Sequence, residues 1–237
     1  MENSFANGGQ FPASNAEVWN HGSTILKGLQ WMPKSDAPLL VNPKPSWHKI
    51  SSFAEFIANI PNYRSSTVQT TRLAIAARKH LFAWAEEEGI DFELKTKGIL
   101  HIYRDKASFE HAGTVSKLLA EGGLVRRAAT PAEMRAIEPT LAGKYYGGCF
   151  TESDATGDIH RYTRGLAEAA VRRGVRCLYG QDVRAVTTDG DAASVMVGQG
   201  SKKTVSVFDA MVDCAGTASR ALAATLGGRV NIYPVKG

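Results

Sequence analysis

Several common site motifs are missing from the sequence. The 3 cysteines form no CxxC pair and their odd number argues against a disulfide framework, so a reduced, cytoplasmic setting is expected. The 6 histidines show no HxH or HExxH spacing, so no metal site is expected. No GxSxG elbow and no phosphate-binding P-loop occur. The sequence therefore assigns no catalytic residue.

Long apolar runs and dense charge are also missing. No apolar run approaches the roughly 18 residues that cross a bilayer, and the N-terminus lacks the pattern of a signal peptide. The net charge is +5, but the basic residues are dispersed without interleaved aromatic residues, so nucleic-acid binding is not expected. This charge fits an anionic cofactor or substrate, or an acidic membrane surface. The 237 residues allow one large or two small globular domains.

Helices are predicted from apolar spacing and from end signals. Gly89 is expected to end the longest helix. Thr130 is expected to be an N-cap, because Glu133 completes a capping box with it. Asp158 is expected to be the N-cap of a later helix. The predicted helices cover Ile25–Met32, Phe53–Ile60, Thr70–Glu88, Ala107–Glu121, a short segment from Pro131, a segment through Arg173, and Thr217–Leu226.

Strands are predicted from short runs of β-branched and aromatic residues. They are interspersed with the helices in no regular βαβ order, so the predicted fold class mixes α/β and α+β. The predicted strands are a hairpin of Phe92–Leu94 with Gly98–Tyr103, followed by Tyr145–Phe150, Val175–Leu178, Val183–Thr187, Ala193–Val197, Val205–Asp213 and Val230–Val235.

A few titratable residues allow two interpretations. His80 shares the apolar spacing of Leu73 and Trp84, which favours a core or boundary position. His160 lies at the entry of a helix and is a candidate to face a pocket. Asp154 lies among other acidic residues, and a solvated loop is the favoured interpretation.

Three segments are candidates for ligand contact. The first is Ser4–Gln10, in which Ser4, Asn7, Gly8, Gly9 and Gln10 could face an anion or a ring, although a frayed terminus is equally compatible. In the second, Ala215-Gly216 ends a strand and begins a helix, which suits either close backbone approach or tight packing. The third is Val183, which is either an adenine contact or an ordinary strand residue.

These segments, in this order, resemble the FAD-dependent D-amino acid dehydrogenases, within the wider D-amino acid oxidase group. The resemblance spans essentially the whole chain, and it lies in the order and spacing of individually weak motifs. They are Ser4–Gln10, Ala37–Leu39, Gly98–Leu100, Ile137–Pro139, Gly147-Gly148, Thr156–Asp158, Cys214–Gly216 with Ser219, and Tyr233–Gly237.

The resemblance implies a partial Rossmann-like FAD-binding domain with an inserted β-rich substrate domain. It assigns residues 1–90 and 156–230 to the FAD domain, 91–155 to the substrate domain and 231–237 to the return towards it. Ser4, Asn7, Gly8, Gly9 and Gln10 would lie along the pyrophosphate and flavin. Val183 would meet the adenine, Ala215 and Gly216 would line the dinucleotide, and Lys236 would approach the flavin.

The resemblance also implies a reaction and partners. A D-amino acid would transfer a hydride to the flavin and yield a 2-oxo acid and ammonia. Electrons would pass to a quinone or another acceptor, which is compatible with peripheral contact at the inner face of the plasma membrane.

The sequence departs from the family pattern at both ends. The GxGxxG unit expected before the first glycine pair does not occur, and the C-terminal part is missing, so the chain is expected to be a fragment that binds FAD poorly by itself. The alternatives are a non-catalytic remnant that binds no flavin and a related amine or glycine oxidase that uses oxygen.

Overall fold

The computed structural model of this chain describes residues 5, 7–25, 44, 46–190, 192–199 and 202–232. The chain forms two compact units. The first unit comprises Met1–Trp19 and Pro61–Val175, and the second comprises Asn20–Ile60 and Arg176–Gly237. The assignment of segments to cofactor and substrate domains stays a prediction.

The helices are α1 (Trp47–Ala58), α2 (Tyr63–Glu88), α3 (Lys106–Glu121), α4 (Pro131–Ile137), α5 (Ile159–Arg172) and α6 (Ser219–Thr225). The strands are β1 (Gln10–Phe11), β2 (Ile99–Tyr103), β3 (Arg127–Ala129), β4 (Gly147–Thr151), β5 (Ala155–Thr156), β6 (Asp182–Asp189), β7 (Ala192–Gln199) and β8 (Lys202–Phe208). Short 3-10 turns cover Ala13–Asn15, Ile60–Asn62 and Gly216–Ala218, and residues 22–25 are helical.

The first unit contains two small antiparallel sheets. Strand β4 lies between β2 and β3, and Cys149 at its centre is opposite both His101 and Ala128. The other sheet pairs β1 with β5. One core cluster joins the Ala13–Asn15 turn to α3, and a second joins the end of α2 to the start of α5. Phe11, Ala13 and Ala16 are therefore packed into the core of this unit.

The second unit contains an antiparallel sheet in the order β6-β7-β8. Helix α6 is fastened to β6 by Thr225, whose hydroxyl donates to the Val186 carbonyl at 2.9 Å and accepts from the Val186 N–H at 3.0 Å. Helix α1 begins at Ser46, whose side chain accepts from the Lys49 N–H. The mixture of helices with sheets confirms the predicted fold class.

The predicted helix ends are confirmed where a local side chain or glycine sets them. Gly89 ends α2 with a φ of 63°. The Thr130 hydroxyl accepts from the Glu133 N–H while the Glu133 carboxylate accepts from the Thr130 N–H, so the capping box is complete. The Asp158 carboxylate caps α5 by accepting from the Arg161 N–H at 2.9 Å.

Two strand predictions are wrong. Phe92–Leu94 forms no hairpin with β2, because Glu93 has a positive φ of 56° and Phe92 is buried between aromatic rings. Strand β2 pairs with β4 instead. Val175–Leu178 is irregular, and its apolar side chains are exposed.

Other predicted segments are only partly present. The strand from Val205 stops at Phe208, because residues 209–215 turn around Asp213, which accepts from the Ala215 N–H. Residues 230–232 are not a strand, and the remainder of Val230–Val235 lies outside the described residues. The same holds for residues 26–32 of the predicted helix Ile25–Met32.

Helix α2 ends as predicted but begins at Tyr63, seven residues before the predicted Thr70, and most of its predicted apolar face is exposed. Leu73 and Trp84 are exposed, and so is His80. The buried side instead carries Thr67 and Thr71, which are both fully buried. Threonine can lie there because both hydroxyls have a hydrogen-bond partner: that of Thr71 donates to the Thr67 carbonyl at 2.7 Å, and that of Thr67 accepts from the Val18 N–H at 3.4 Å. In the described part of the chain, no helix is long and apolar enough to cross a membrane.

Candidate functional site

A glycine loop, Asn7–Gln10, is the first candidate feature. The Asn7 side-chain oxygen accepts from the Gly9 N–H at 2.9 Å, which closes a tight turn. Gly9 has a φ of 64°, and a Cβ built there would lie 2.5 Å from the Gly157 carbonyl oxygen. At Gly8, by contrast, no atom of the described residues lies within 4 Å of a Cβ. The loop thus has one packed glycine and one open glycine.

The glycine loop is attached to the segment that precedes α5. The Gly157 N–H donates to the Gly9 carbonyl at 2.8 Å. Strand β1 then places Gln10 opposite Thr156 and Phe11 opposite Ala155. The Phe11 side chain packs in the core cluster below the loop. The loop is therefore held from its C-terminal side, while Asn7 and Gly8 are exposed.

A buried carboxylate lies directly behind this attachment. Asp154 has an exposure of 0 %. Its Oδ1 accepts from the Ala13 N–H at 3.0 Å and from the Arg78 guanidinium at 2.5 Å. Its Oδ2 accepts from the Ser14 N–H at 3.3 Å and from the Ser14 hydroxyl at 2.5 Å. Both oxygens are thus satisfied, and we call Asp154 with Arg78 and Ser14 the Asp154 clamp.

The clamp extends to His101 and fixes its tautomer. His101 Nε2 lies 2.9 Å from the Ser14 hydroxyl oxygen. Because the only hydroxyl proton of Ser14 is donated to Asp154, Nε2 must be the donor. Burial, followed by the nearby Arg126 charge, lowers the pKa of His101, and Asp154 opposes this. The lowered pKa favours the neutral ring, and the bond to Ser14 then places its proton on Nε2.

This Asp–Ser–His order does not make a nucleophile. In a base-activated serine the hydroxyl donates to the histidine, and the carboxylate orients that histidine. Here Ser14 lies between Asp154 and His101, donates to the carboxylate, and is only 2 % exposed. The arrangement holds backbone in place and does not attack a substrate.

His160 lies in the first turn of α5, three residues after Gly157, whose N–H donates to the Gly9 carbonyl of the glycine loop. Its ring packs edge-on against Phe5 with the centroids 5.5 Å apart. Its Nδ1 is buried and has no hydrogen-bond partner among the described residues. Buried polar atoms are normally paired, so this nitrogen is a candidate to meet a ligand atom. That His160 faces a pocket stays a prediction.

The other predicted contacts lie in the second unit. Val183 pairs with Val197 at a register shift in β6 and is partly exposed. Ala215 donates its N–H to Asp213 at 2.9 Å and precedes the 3-10 turn. Gly216 has a φ of 58°, and no described atom lies within 4 Å of a Cβ built there. Their role in cofactor binding stays a prediction.

The structure brings together only part of the predicted site. Asn7, Gly8, Gly9 and Gln10 form one loop in the first unit. Val183, Ala215 and Gly216 belong to the second unit, and Ser4 and Lys236 lie outside the described residues.

One further cleft occurs in the first unit. Its volume is 270 Å³, and it lies between the end of α2 and helix α5. Its lining charges of both signs include the pair of Arg172 with Glu88 at 3.1 Å. Charges already paired in this way do not select a ligand of one sign. Across the ranges that the structure describes, no group of three His, Cys, Asp or Glu side chains is arranged to hold a metal.

The sequence interpretation missed the Asp154 clamp. Asp154 was expected in a solvated acidic loop, which is wrong because its side chain is fully buried. Its acidic neighbour Glu152 is exposed, as that interpretation requires. One feature of the sequence could have indicated a buried carboxylate: Arg78 is a cation on a predicted helix that is rich in apolar residues. Its partner lies 76 residues further along the chain, so the pairing could not be read locally.

Comparison with known proteins gives the family. The model of a family described as FAD dependent oxidoreductase matches residues 2–237. A protein named D-amino acid dehydrogenase 3 from Mesorhizobium japonicum is 56% identical over the whole chain. A D-amino acid dehydrogenase from Paramagnetospirillum magneticum is 37% identical, also over the whole chain. The chain spans 57% of the length of each of these relatives.

Solved structures agree in fold. Glycine oxidase from Geobacillus kaustophilus matches 66% of this chain and 42% of its own with a TM-score of 0.59 and 22% identity. L-proline dehydrogenase from P. horikoshii matches 67% of this chain and 41% of its own with a TM-score of 0.58 and 18% identity. With the family model matching residues 2–237, this chain belongs to the FAD-dependent oxidoreductases.

Proposed function

We propose that this chain acts in an FAD-dependent dehydrogenase that oxidises D-amino acids to 2-oxo acids and ammonia. The family is FAD-dependent, and the relatives of 56% and 37% identity carry the name D-amino acid dehydrogenase. The single structural observation that carries the proposal is the glycine loop, which has an open backbone face at Gly8 and is fixed at Gly9.

The residues of the first unit fit a large flat cofactor. A ring system needs backbone that it can approach without meeting a side chain, and Gly8 offers this because a Cβ there meets no described atom. A polar cofactor or substrate also needs hydrogen-bond partners. The buried and unpartnered Nδ1 of His160 supplies such an atom at the entry of α5. We therefore assign Asn7, Gly8, Gly9 and Gln10 to the cofactor loop.

The chemistry divides between cofactor and protein. FAD supplies the hydride acceptor, and the imino acid that the oxidation yields hydrolyses to the 2-oxo acid and ammonia. Among the protein groups, the Asn7 side chain holds the loop turn through the Gly9 N–H at 2.9 Å. The Asp154 clamp holds the backbone that follows. No base is assigned, because the loss of a hydride from the substrate Cα does not require a particular side chain of this chain.

The remaining predicted contacts are part of the same proposal. Val183 would meet the adenine, which its exposed position beside a strand irregularity supports. Ala215 and Gly216 would line the dinucleotide, and the open space at Gly216 supports this. Ser4 and Lys236 are proposed as cofactor contacts from the family resemblance alone.

The electron acceptor and the location complete the proposal. We infer a quinone or another acceptor, and a cytoplasmic protein with peripheral contact at the inner face of the plasma membrane. The described cysteines are unpaired thiols, which supports a reducing compartment. The net charge of +5 supports contact with anionic lipid.

The test uses two proteins. One is this chain, and the other is a chimera in which it replaces the matched segment of the Mesorhizobium japonicum relative. The purified chimera should carry FAD, seen by its visible absorbance, and should reduce a dye with D-alanine. Peroxide formation in place of dye reduction would favour an oxidase. A colourless chimera that takes up no added FAD would refute the proposal, provided that the parent relative is yellow under the same conditions.

A further inference from the structure

The Asp154 clamp is a costly arrangement that the fold alone does not require. A buried ion pair loses hydration on both partners, and well-packed apolar residues of similar volume often stabilise a protein as much or more. Asp154 is 0 % exposed on its side chain and Arg78 only 11 %. The pair therefore needs an explanation other than the stability of the first unit.

The clamp fixes one short stretch of backbone. Asp154 holds the N–H groups of Ala13 and Ser14, and the Arg78 guanidinium also reaches the Phe11 carbonyl at 3.5 Å. Phe11, Ala13 and Ser14 lie one, three and four positions after the end of the glycine loop. Charge-assisted hydrogen bonds to backbone are stronger and more directional than neutral ones, so this stretch has one preferred path.

The second attachment of the glycine loop lies beside the clamp. Gly157, three residues after Asp154, donates to the Gly9 carbonyl. The strand pair β1 with β5 lies between these two points. The residues 154–157 thus hold both ends of the stretch from Gly9 to Ser14, and the exposed Asn7 and Gly8 project from it. The direction in which Gly8 presents its open face depends on that hold.

We propose that Asp154 and Arg78 are positioning residues for the cofactor: the clamp sets the path of the glycine loop so that the open backbone at Gly8 can receive FAD. This inference rests on the proposed function. Neither residue touches the cofactor, and Ser14 passes the constraint from the carboxylate to the backbone. Loss of the clamp therefore weakens FAD binding beyond what an equal loss of stability elsewhere in the first unit would cause.

The test compares variants of the chain and of the chimera described above. Asp154→Asn keeps the shape and removes the charge, and Ser14→Ala removes one hydrogen bond of the clamp. Glu152→Gln makes the same chemical change as Asp154→Asn at an exposed position of the same connection between β4 and β5. Thr130→Ala removes the capping box of α4 and so lowers the stability of the same unit without touching the clamp.

Four measurements are made on each variant. They are the FAD dissociation constant by titration of flavin fluorescence, the visible flavin spectrum, the thermal midpoint, and amide hydrogen exchange across residues 9–14. We expect Asp154→Asn to raise the dissociation constant about tenfold, which corresponds to about 1.4 kcal/mol. We expect Ser14→Ala to raise the dissociation constant about threefold, because this variant removes only one hydrogen bond of the clamp. Exchange across residues 9–14 should speed up in both variants, and both controls should stay within about twofold of the parent dissociation constant.

Each outcome either supports or overturns the positioning role of the clamp. Weaker FAD binding in the two clamp variants but not in Thr130→Ala supports positioning, since a general loss of stability would affect all three. Faster exchange with an unchanged dissociation constant and spectrum overturns the inference, because the clamp is then only structural. If Asp154→Asn fails to fold, Ser14→Ala decides by the same criteria. If the unmodified chimera binds no FAD, the proposed function fails first and the inference falls with it.

Discussion

The two glycines of the cofactor loop should respond in opposite ways to alanine. Gly9 has a φ of 64°, a conformation that costs an L-residue about 1–2 kcal/mol. Its new Cβ would also lie 2.5 Å from the Gly157 carbonyl oxygen. This oxygen cannot retreat easily, since the adjacent Gly157 N–H is bonded to the Gly9 carbonyl. Crowding of this kind costs about 1–3 kcal/mol, so Gly9→Ala should lose about 2–5 kcal/mol in all.

Gly8→Ala is the matched control within the same loop. Its Cβ meets no described atom and its φ is not positive, so the free energy of unfolding should change by at most about 0.5 kcal/mol. The new methyl group would nevertheless occupy the open face that we assign to FAD. Gly8→Ala should therefore weaken FAD binding while Gly9→Ala mainly weakens the fold.

The assay is urea unfolding followed by tryptophan fluorescence, together with hydrogen exchange at the Gly157 amide. Exchange there reports the local opening of the loop, which a global unfolding curve could hide in a chain of two units. Equal stability of Gly8→Ala and Gly9→Ala, with equal protection at Gly157, would refute the loop geometry. Unchanged FAD affinity in Gly8→Ala would refute the assignment of the open face.

Three further predictions concern the first unit. Arg78→Met should lower the free energy of unfolding by about 3 kcal/mol in a urea titration, because it leaves Asp154 buried without its cation. Arg64→Met is the control: Arg64 is 70 % exposed in its pair with Glu121, so the same titration should show a loss of less than about 1 kcal/mol. Thr130→Ala should cost about 1 kcal/mol through the lost cap, measured by thermal unfolding; no change would mean that the cap is dispensable. His101 has a folded-state pKa below the ordinary 6.5, so its contribution to stability is complete above about pH 6.5 and declines as the pH falls and the unfolded chain takes up the proton. His101→Gln should flatten this decline between about pH 7 and pH 5, and an equally steep profile in that variant would contradict the assignment.

Helix ends were predictable because their causes are local. The Thr130 capping box spans four residues, and Gly89 needs only its own φ to end α2. Strand partners were less predictable. Strand β2 pairs with β4, which follows almost fifty residues later, and nothing in the spacing near Phe92 distinguishes that partner from a nearby hairpin. The positive φ of Glu93 is a tertiary outcome, since glutamate carries no sequence signal for it.

The buried side of α2 shows the limit of apolar spacing. Apolar periodicity alone assigned Leu73 and Trp84 to the core, but they are exposed in the structure. Two fully buried threonines and the nearly buried Arg78 occupy the inner side. Such residues can be buried only when partners satisfy them, and the partner of Arg78 comes from another element. A single sequence gives the residue types but not these pairings.

The glycine pair shows, in two adjacent residues, the same difference between what the sequence predicts and what tertiary contacts decide. Composition predicts that Gly8-Gly9 forms a turn or approaches a ligand, and both expectations apply equally to either glycine. The structure separates them, because only Gly9 combines a positive φ with a close neighbour, and Gly8 has open space. The reason is Gly157, which is distant in sequence and reaches Gly9 only through the pairing of β1 with β5. A glycine required by the fold thus lies beside one that the fold leaves open, and the open one is where a ligand can approach the backbone.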